Sequence, residues 1–208
     1  MRFRTLVASA LAMLFGPFAT LPAHAGDITV LITEANGKPV EDAVVMIDAP
    51  GAAPAPRNFE IMQKDMEFVP HVLAIPVGST VEFGNLDPFR HHVYSFSPTR
   101  KFELKLFGKG QTRPVRFDKP GPVAIGCNIH ESMQAFIMVT DTRFAAKSGA
   151  TGRVVLRGVP AGKHKLRVWH PRLRSPGNQL VLAVDASANR SVPVTVKLRR
   201  PAPQMHDY

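Results

Sequence analysis

The sequence predicts an all-β protein made of two β-sandwiches, the smaller one interrupted by the larger. Short runs rich in Val, Ile and Phe recur along the chain with turn residues between them, the spacing expected of sandwich or barrel strands. Nineteen prolines and fifteen glycines suit turns and edge strands and are poorly tolerated inside helices.

Residues 1–25, MRFRTLVASALAMLFGPFATLPAHA, read as an export signal. Arg2 and Arg4 precede an apolar stretch too short to span a bilayer, and Ala23-His24-Ala25 is a small-x-small cleavage site. No later run of about 20 apolar residues is present to hold the chain in a membrane. The expectation is a periplasmic protein with a mature start near Gly26 and no stable membrane insertion.

Residues 26–56 contain ANGKPVEDAVVMID, which reads as a strand, a tight Asn-Gly turn and a second strand, followed by the linker-like AAPAPRN that runs to Asn58. Residues 57–142 hold the larger unit, with strands in VLAIPVGSTVEFGNLDP, VYSFSPTRKFEL, RPVRFDKPGPVAIG and AFIMVTD. Strand character lapses over TRFAAKSGATG and resumes at Arg153. Residues 143–200 then complete the smaller sandwich. Within them RVVLRGVPAGKHKLRVWHP reads as a hairpin closed by Pro-Ala-Gly. Residues 201–208, PAPQMHDY, read as a flexible tail.

The flanking pieces resemble the two halves of the carboxypeptidase regulatory-like, transthyretin-like sandwich. Gly37, Pro39, Ala43 and Val45 match the first half of that pattern; Gly152, Leu156, Gly158, Pro160, Gly162, Leu166 and Val168 match the second. Since residues 57–142 lie between the halves, an insertion of one domain into another is the expectation, tolerable because domain termini often lie close together, with simple tandem domains the alternative.

The formal net charge is +10, of which the leader's two arginines account for two. Outside the cytoplasm nucleic acid is not the expected partner. The excess suits steering toward an acidic protein or an anionic surface.

Cys127 is the only cysteine, so no internal disulfide can form. It stands in GCNIHESMQ, followed by His130 and then Met133, and upstream NLDPFRHHVYSFS offers the adjacent pair His91 and His92. A thiolate, two imidazoles and a thioether form a soft or borderline donor set that suits copper. A trigonal His-His-Cys site with a weak axial Met is the pattern of a blue-copper electron-transfer centre, whereas zinc more often recruits further Cys, His or carboxylate ligands. The loop from Cys127 to Met133 is short and lies between two strands, so three donors share one braced segment.

These residues resemble the cupredoxins, most nearly the amicyanin and plastocyanin-like group. Cys127-Asn128-Ile129-His130-Glu131-Ser132-Met133 matches the loop C-x2-H-x2-M, and Gly78, Val81, Phe83 and Asn85 match the strand that leads to the first ligand histidine. The runs HHVYSFS, KFEL and GCNIH also resemble cupredoxins named for methylamine utilisation. The resemblance implies a Greek-key cupredoxin sandwich over residues 57–142 holding one type 1 copper, with His91, Cys127, His130 and Met133 as ligands. His92 is the alternative to His91, because the family usually has Asn after the ligand histidine. Its neighbour in the strand faces the other way, and His92 is then expected as a partly exposed imidazole near the copper edge.

The function implied is a one-electron carrier and not an enzyme, exchanging electrons through the edge of His130 within an apolar patch. A transient acidic redox partner is expected, such as a cytochrome c or a periplasmic dehydrogenase. The alternative is a copper-handling or structural β-sandwich module without electron transfer. His71, His164 and His170 lack spaced partners and read as structural or surface residues, while Lys101, Phe102 and Glu103 either surround the site or continue the sheet.

Overall fold

A computed structural model describes residues 25–201. The export-signal reading, apart from Ala25, and the tail reading beyond Pro201 lie outside the described residues. Among the described residues, sixteen strands follow one another. The first eight are β1 (Gly26–Glu34), β2 (Val44–Asp48), β3 (Asn58–Lys64), β4 (Glu67–Val69), β5 (Val72–Pro76), β6 (Ser79–Asn85), β7 (His91–Ser95) and β8 (Phe102–Phe107). The rest are β9 (Thr112–Phe117), β10 (Gly121–Gly126), β11 (Gln134–Thr140), β12 (Ala145–Lys147), β13 (Arg153–Val159), β14 (Lys163–Trp169), β15 (Gln179–Asp185) and β16 (Arg190–Val196). The described residues are all-β apart from one 3-10 turn at Pro176–Asn178, and no helix among them is long and apolar enough to cross a membrane.

Two sheets form the central unit, one ordered β4-β3-β6-β9 and the other β5-β11-β10-β7-β8. Alternation decides which side chains face between them. In β6, Val81 and Phe83 point inward, and they join Ile61, Val93, Phe107, Phe117, Val123 and Ile137 in one buried core. Proline falls where ladder bonds are not needed: Pro114 lies on the edge strand β9, and Pro122 lies where β10 has β11 on one side and meets β7 only at Gly126 opposite Tyr94.

The ends of the chain build the other two sheets, β13-β1-β16 and β12-β2-β14-β15. Strand β2 runs antiparallel to β14, with Val44 opposite Trp169 and Ile47 opposite Leu166, and β1 runs parallel to β16. Ile28, Val30, Ile32, Val45, Ile47, Leu156, Leu166 and Val168 fill the core between these sheets. Val44, Met46 and Trp169 then meet Val72 and Met138 of the central unit in a third apolar cluster, where the Trp169 ring stands edge-on to Phe136 at 6.1 Å.

Three local expectations need correction. Pro160-Ala161-Gly162 does not close a hairpin: β13 and β14 lie in different sheets, and Gly158 and Gly162, both at positive φ, carry the chain across the core from one to the other. The Asn36-Gly37 turn folds back only as far as the bridge between Thr33 and Pro39, after which Asp42 at φ 61° redirects the chain to the facing sheet. The stretch after Asp141 is not devoid of strand either. Phe144 is buried in the flanking core and draws Ala145–Lys147 alongside β2.

Candidate metal centre

Strands β10 and β11 pair antiparallel from Gly121 opposite Val139 to Gly126 opposite Gln134, so residues 127–133 form the loop at the end of a hairpin. The loop closes on itself where the Met133 N–H donates to the His130 carbonyl at 3.0 Å. Cys127 and Met133 both sit in the core of the central unit, and Cys127 is 3% exposed. His91, the first residue of β7, is fully buried beside them, while His130 is half-buried.

The side chains converge. Cys127 Sγ lies 3.9 Å from His91 Nδ1 and 3.9 Å from His130 Nδ1, and the two Nδ1 atoms are 3.1 Å apart. The nearest point equidistant from the three donors lies about 2.1 Å from each, at the bond length of a metal ion to nitrogen and about 0.2 Å inside its bond length to sulfur. The proton on His91 can also be assigned. Its Nε2 is 2.7 Å from Asp87 Oδ2, and since a carboxylate only accepts, that nitrogen carries a hydrogen, which in the neutral ring leaves the Nδ1 lone pair facing Cys127 and His130. The residues present therefore fit a metal ion, and Met133 places a thioether in the same buried neighbourhood.

Burial alone would raise the Asp87 carboxyl, but the bond with His91 and those from the backbone N–H groups of Met66 and Asp65 outweigh it and hold its pKa below the ordinary value. His130 is also held below its ordinary value, first by burial and then by the repulsion that a second proton on His91 would add, with Asp87 opposing. Asn85 fixes the loop ahead of His91. Its Nδ2 donates to the Phe89 and Phe107 carbonyls, at 2.8 and 3.0 Å, and its Oδ1 accepts the Asp87 N–H at 2.8 Å. The Phe89 ring packs against both imidazoles, 5.0 Å from His91 and 5.5 Å from His130. Leu86, Phe89 and Ile129 are all exposed in the loops that carry these ligands.

Of the two adjacent histidines, the structure brings His91 into the cluster and turns His92 to the opposite face of the sheet, as strand alternation requires. There His92 is buried, not partly exposed as expected, with Nε2 3.0 Å from Glu103 of β8. Glu103 thus belongs to the outer face of the sheet. His71, His164 and His170 stay outside the cluster. They bond the Gln134 carbonyl, the Pro160 carbonyl and the Arg172 N–H respectively. Sequence reasoning missed Asp87 and Phe89; the signal for Asp87 was a carboxylate four residues before a candidate ligand.

Behind the loop, the flanking sandwich forms the far wall of a cleft of about 1000 Å³. Glu131, Ser132 and Met133 line one side, and Glu41, His170 and Arg172 line the other.

No protein-family model matches this chain, and no curated protein matches it. Solved structures match part of it. They are copper proteins by name. A copper-containing nitrite reductase from Thermus scotoductus SA-01 is 28% identical with a TM-score of 0.39, over 54% of this chain and 28% of the reductase, so the chain spans little more than a quarter of that relative's length. A purple cupredoxin from Nitrosopumilus maritimus is 22% identical with a TM-score of 0.36, over 39% of this chain and 99% of its own. A reduced amicyanin variant is 21% identical with a TM-score of 0.38, over 46% of this chain and 98% of its own.

Proposed function

We propose that this chain is a periplasmic type 1 copper protein of the cupredoxin kind that carries single electrons between redox partners. The observation that supports this reading is the convergence of His91 Nδ1, His130 Nδ1 and Cys127 Sγ, all within 4.8 Å of one another, with His91 and Cys127 buried. Copper bound there would supply a one-electron couple. His91, His130 and Cys127 would hold the ion, and Met133 would be the weaker fourth donor.

The chain's own part is to hold those donors still. The β10–β11 ladder clamps both ends of the ligand loop, and His91 is held by Asp87 on one side and by its place in β7 on the other. A frame that moves little keeps the reorganisation on electron transfer small. Burial shields the Cys127 thiolate from the oxidation that threatens an exposed thiol. The half-buried His130, with exposed Ile129 beside it and the Phe89 ring against it, offers the contact for a partner. Without the leader's two arginines the formal net charge of +10 becomes +8, which favours an acidic partner, a cytochrome c or a periplasmic dehydrogenase, in a small transient interface. On this reading no substrate bond is broken and the chain is a carrier, not an enzyme.

Titration with copper(II) followed by visible absorption tests the reading. The expected result is an intense thiolate-to-copper band at one equivalent, missing in Cys127→Ser, together with a reversible one-electron wave at an electrode. Stoichiometric copper without that band would overturn the carrier reading in favour of a copper-handling module.

A further inference from the structure

Asp87 is a buried carboxylate in a loop, and it has more partners than a structural turn requires. Oδ1 accepts the Asp65 N–H at 2.7 Å, and Oδ2 accepts both the Met66 N–H at 3.1 Å and His91 Nε2–H at 2.7 Å. Asp65 and Met66 form the tight turn between β3 and β4, and both sit at positive φ, 54° and 57°. Two successive left-handed residues aim consecutive N–H groups at one anion, an arrangement that binds negative charge. The carboxylate thus accepts from the turn on one side and stands against the ligand imidazole on the other.

Resting on the copper reading above, we propose that Asp87 is a positioning residue that fixes the tautomer of His91 and lowers the reduction potential of the bound metal. The tautomer follows from hydrogen-bond inventory, because the acceptor-only carboxylate leaves Nε2 protonated and Nδ1 free for the metal. A carboxylate bonded to the far nitrogen of a ligand imidazole also makes that imidazole a stronger donor. The full negative charge across the ring favours the more highly charged oxidation state of the ion, so the reduced state is disfavoured and the potential falls. Since the β3–β4 turn supplies the other two hydrogen bonds, the charge at the site depends on a hairpin that contributes no ligand.

Two measurements decide it. In the metal-free wild-type protein, nitrogen-15 NMR of the imidazole rings should show the His91 proton on Nε2 and none on Nδ1; a proton on Nδ1 would overturn the assignment. In Asp87→Asn, which keeps the size and loses the charge, zinc(II) affinity should fall 10–100-fold. The copper potential should rise by at least the equivalent of a tenfold change in relative affinity for the two oxidation states, about 59 mV for a one-electron couple. Unchanged potential and zinc affinity in that variant would overturn the tuning role. If Asp87→Asn fails to fold, the wild-type ring spectrum still decides the tautomer. If the wild-type protein takes up no copper, the copper reading fails, while NMR and zinc binding still judge Asp87.

Discussion

His91 and His130 face each other with their Nδ1 atoms 3.1 Å apart. Two lone pairs at that separation repel unless a proton or a metal ion lies between them. Metal binding is therefore expected to stabilise the fold, by about 4.1 kcal/mol when free metal is a thousand times its dissociation constant. The denaturation midpoint should rise on adding copper(II) or zinc(II), return to the metal-free value with a chelator, and respond weakly in Cys127→Ser.

Gly126 precedes the thiol ligand, and a Cβ there would lie 3.1 Å from Cζ and the hydroxyl oxygen of Tyr94. Gly126→Ala is expected to cost about 1–3 kcal/mol, the range for overpacking a well-filled site. Adding Tyr94→Ala should recover part of that loss, because the obstruction is a side chain and not backbone. Denaturant midpoints of the single and double variants measure both effects.

His170 is pushed down to about 4, first by burial and then by the charge of Arg172, with Asp42 opposing and His71 adding to the depression. Its unfolded value is near 6.5, so between these two pH values the unfolded chain binds a proton that the folded chain does not. Stability is then expected to fall as the pH drops from about 6.5 toward 4, by an amount on the order of 3 kcal/mol from this group, and to be unaffected by it above that window. His170→Gln should flatten this part of the curve relative to wild type when unfolding free energies at pH 7 and pH 5 are compared.

Trp169 fills the seam between the two units against Phe136. Trp169→Ala removes a fully buried aromatic and should lower stability by about 3–5 kcal/mol. Chemical denaturation followed by circular dichroism measures the loss; a change under 1 kcal/mol would mean that the seam contributes little beyond contact.

Legibility in the sequence followed distance along the chain. Cys127, His130 and Met133 could be read because one short loop carries all three, so their spacing records their geometry. His91 needed more: alternation says only that one of the two neighbouring histidines faces the site, and the register of the resembling strand was what favoured His91 over His92. Asp87 was hidden because its meaning comes from Asp65 and Met66, some twenty residues earlier and on another strand pair. The two misread hairpins share one cause. Turn residues such as Pro160-Ala161-Gly162 announce a change of direction, but whether the next strand pairs with the last or crosses to the facing sheet is settled by the core. Phe144 shows the same limit: one buried aromatic organised a strand in a segment too polar to look like one.

The chain leaves the flanking sandwich after Ala49 and returns at Phe144, just before Ala145 pairs with Met46 on the strand it left. Seen from that sandwich, residues 50–143 are a loop whose ends must be held together. Closing an unstructured loop costs entropy that grows by about 0.6 kcal/mol with each doubling of its length. A folded central unit supplies that closure in advance, and an unfolded one withdraws it. Occupancy of the His91, Cys127 and His130 site thus reaches strands that never touch it, through the conformational freedom denied to the segment between them.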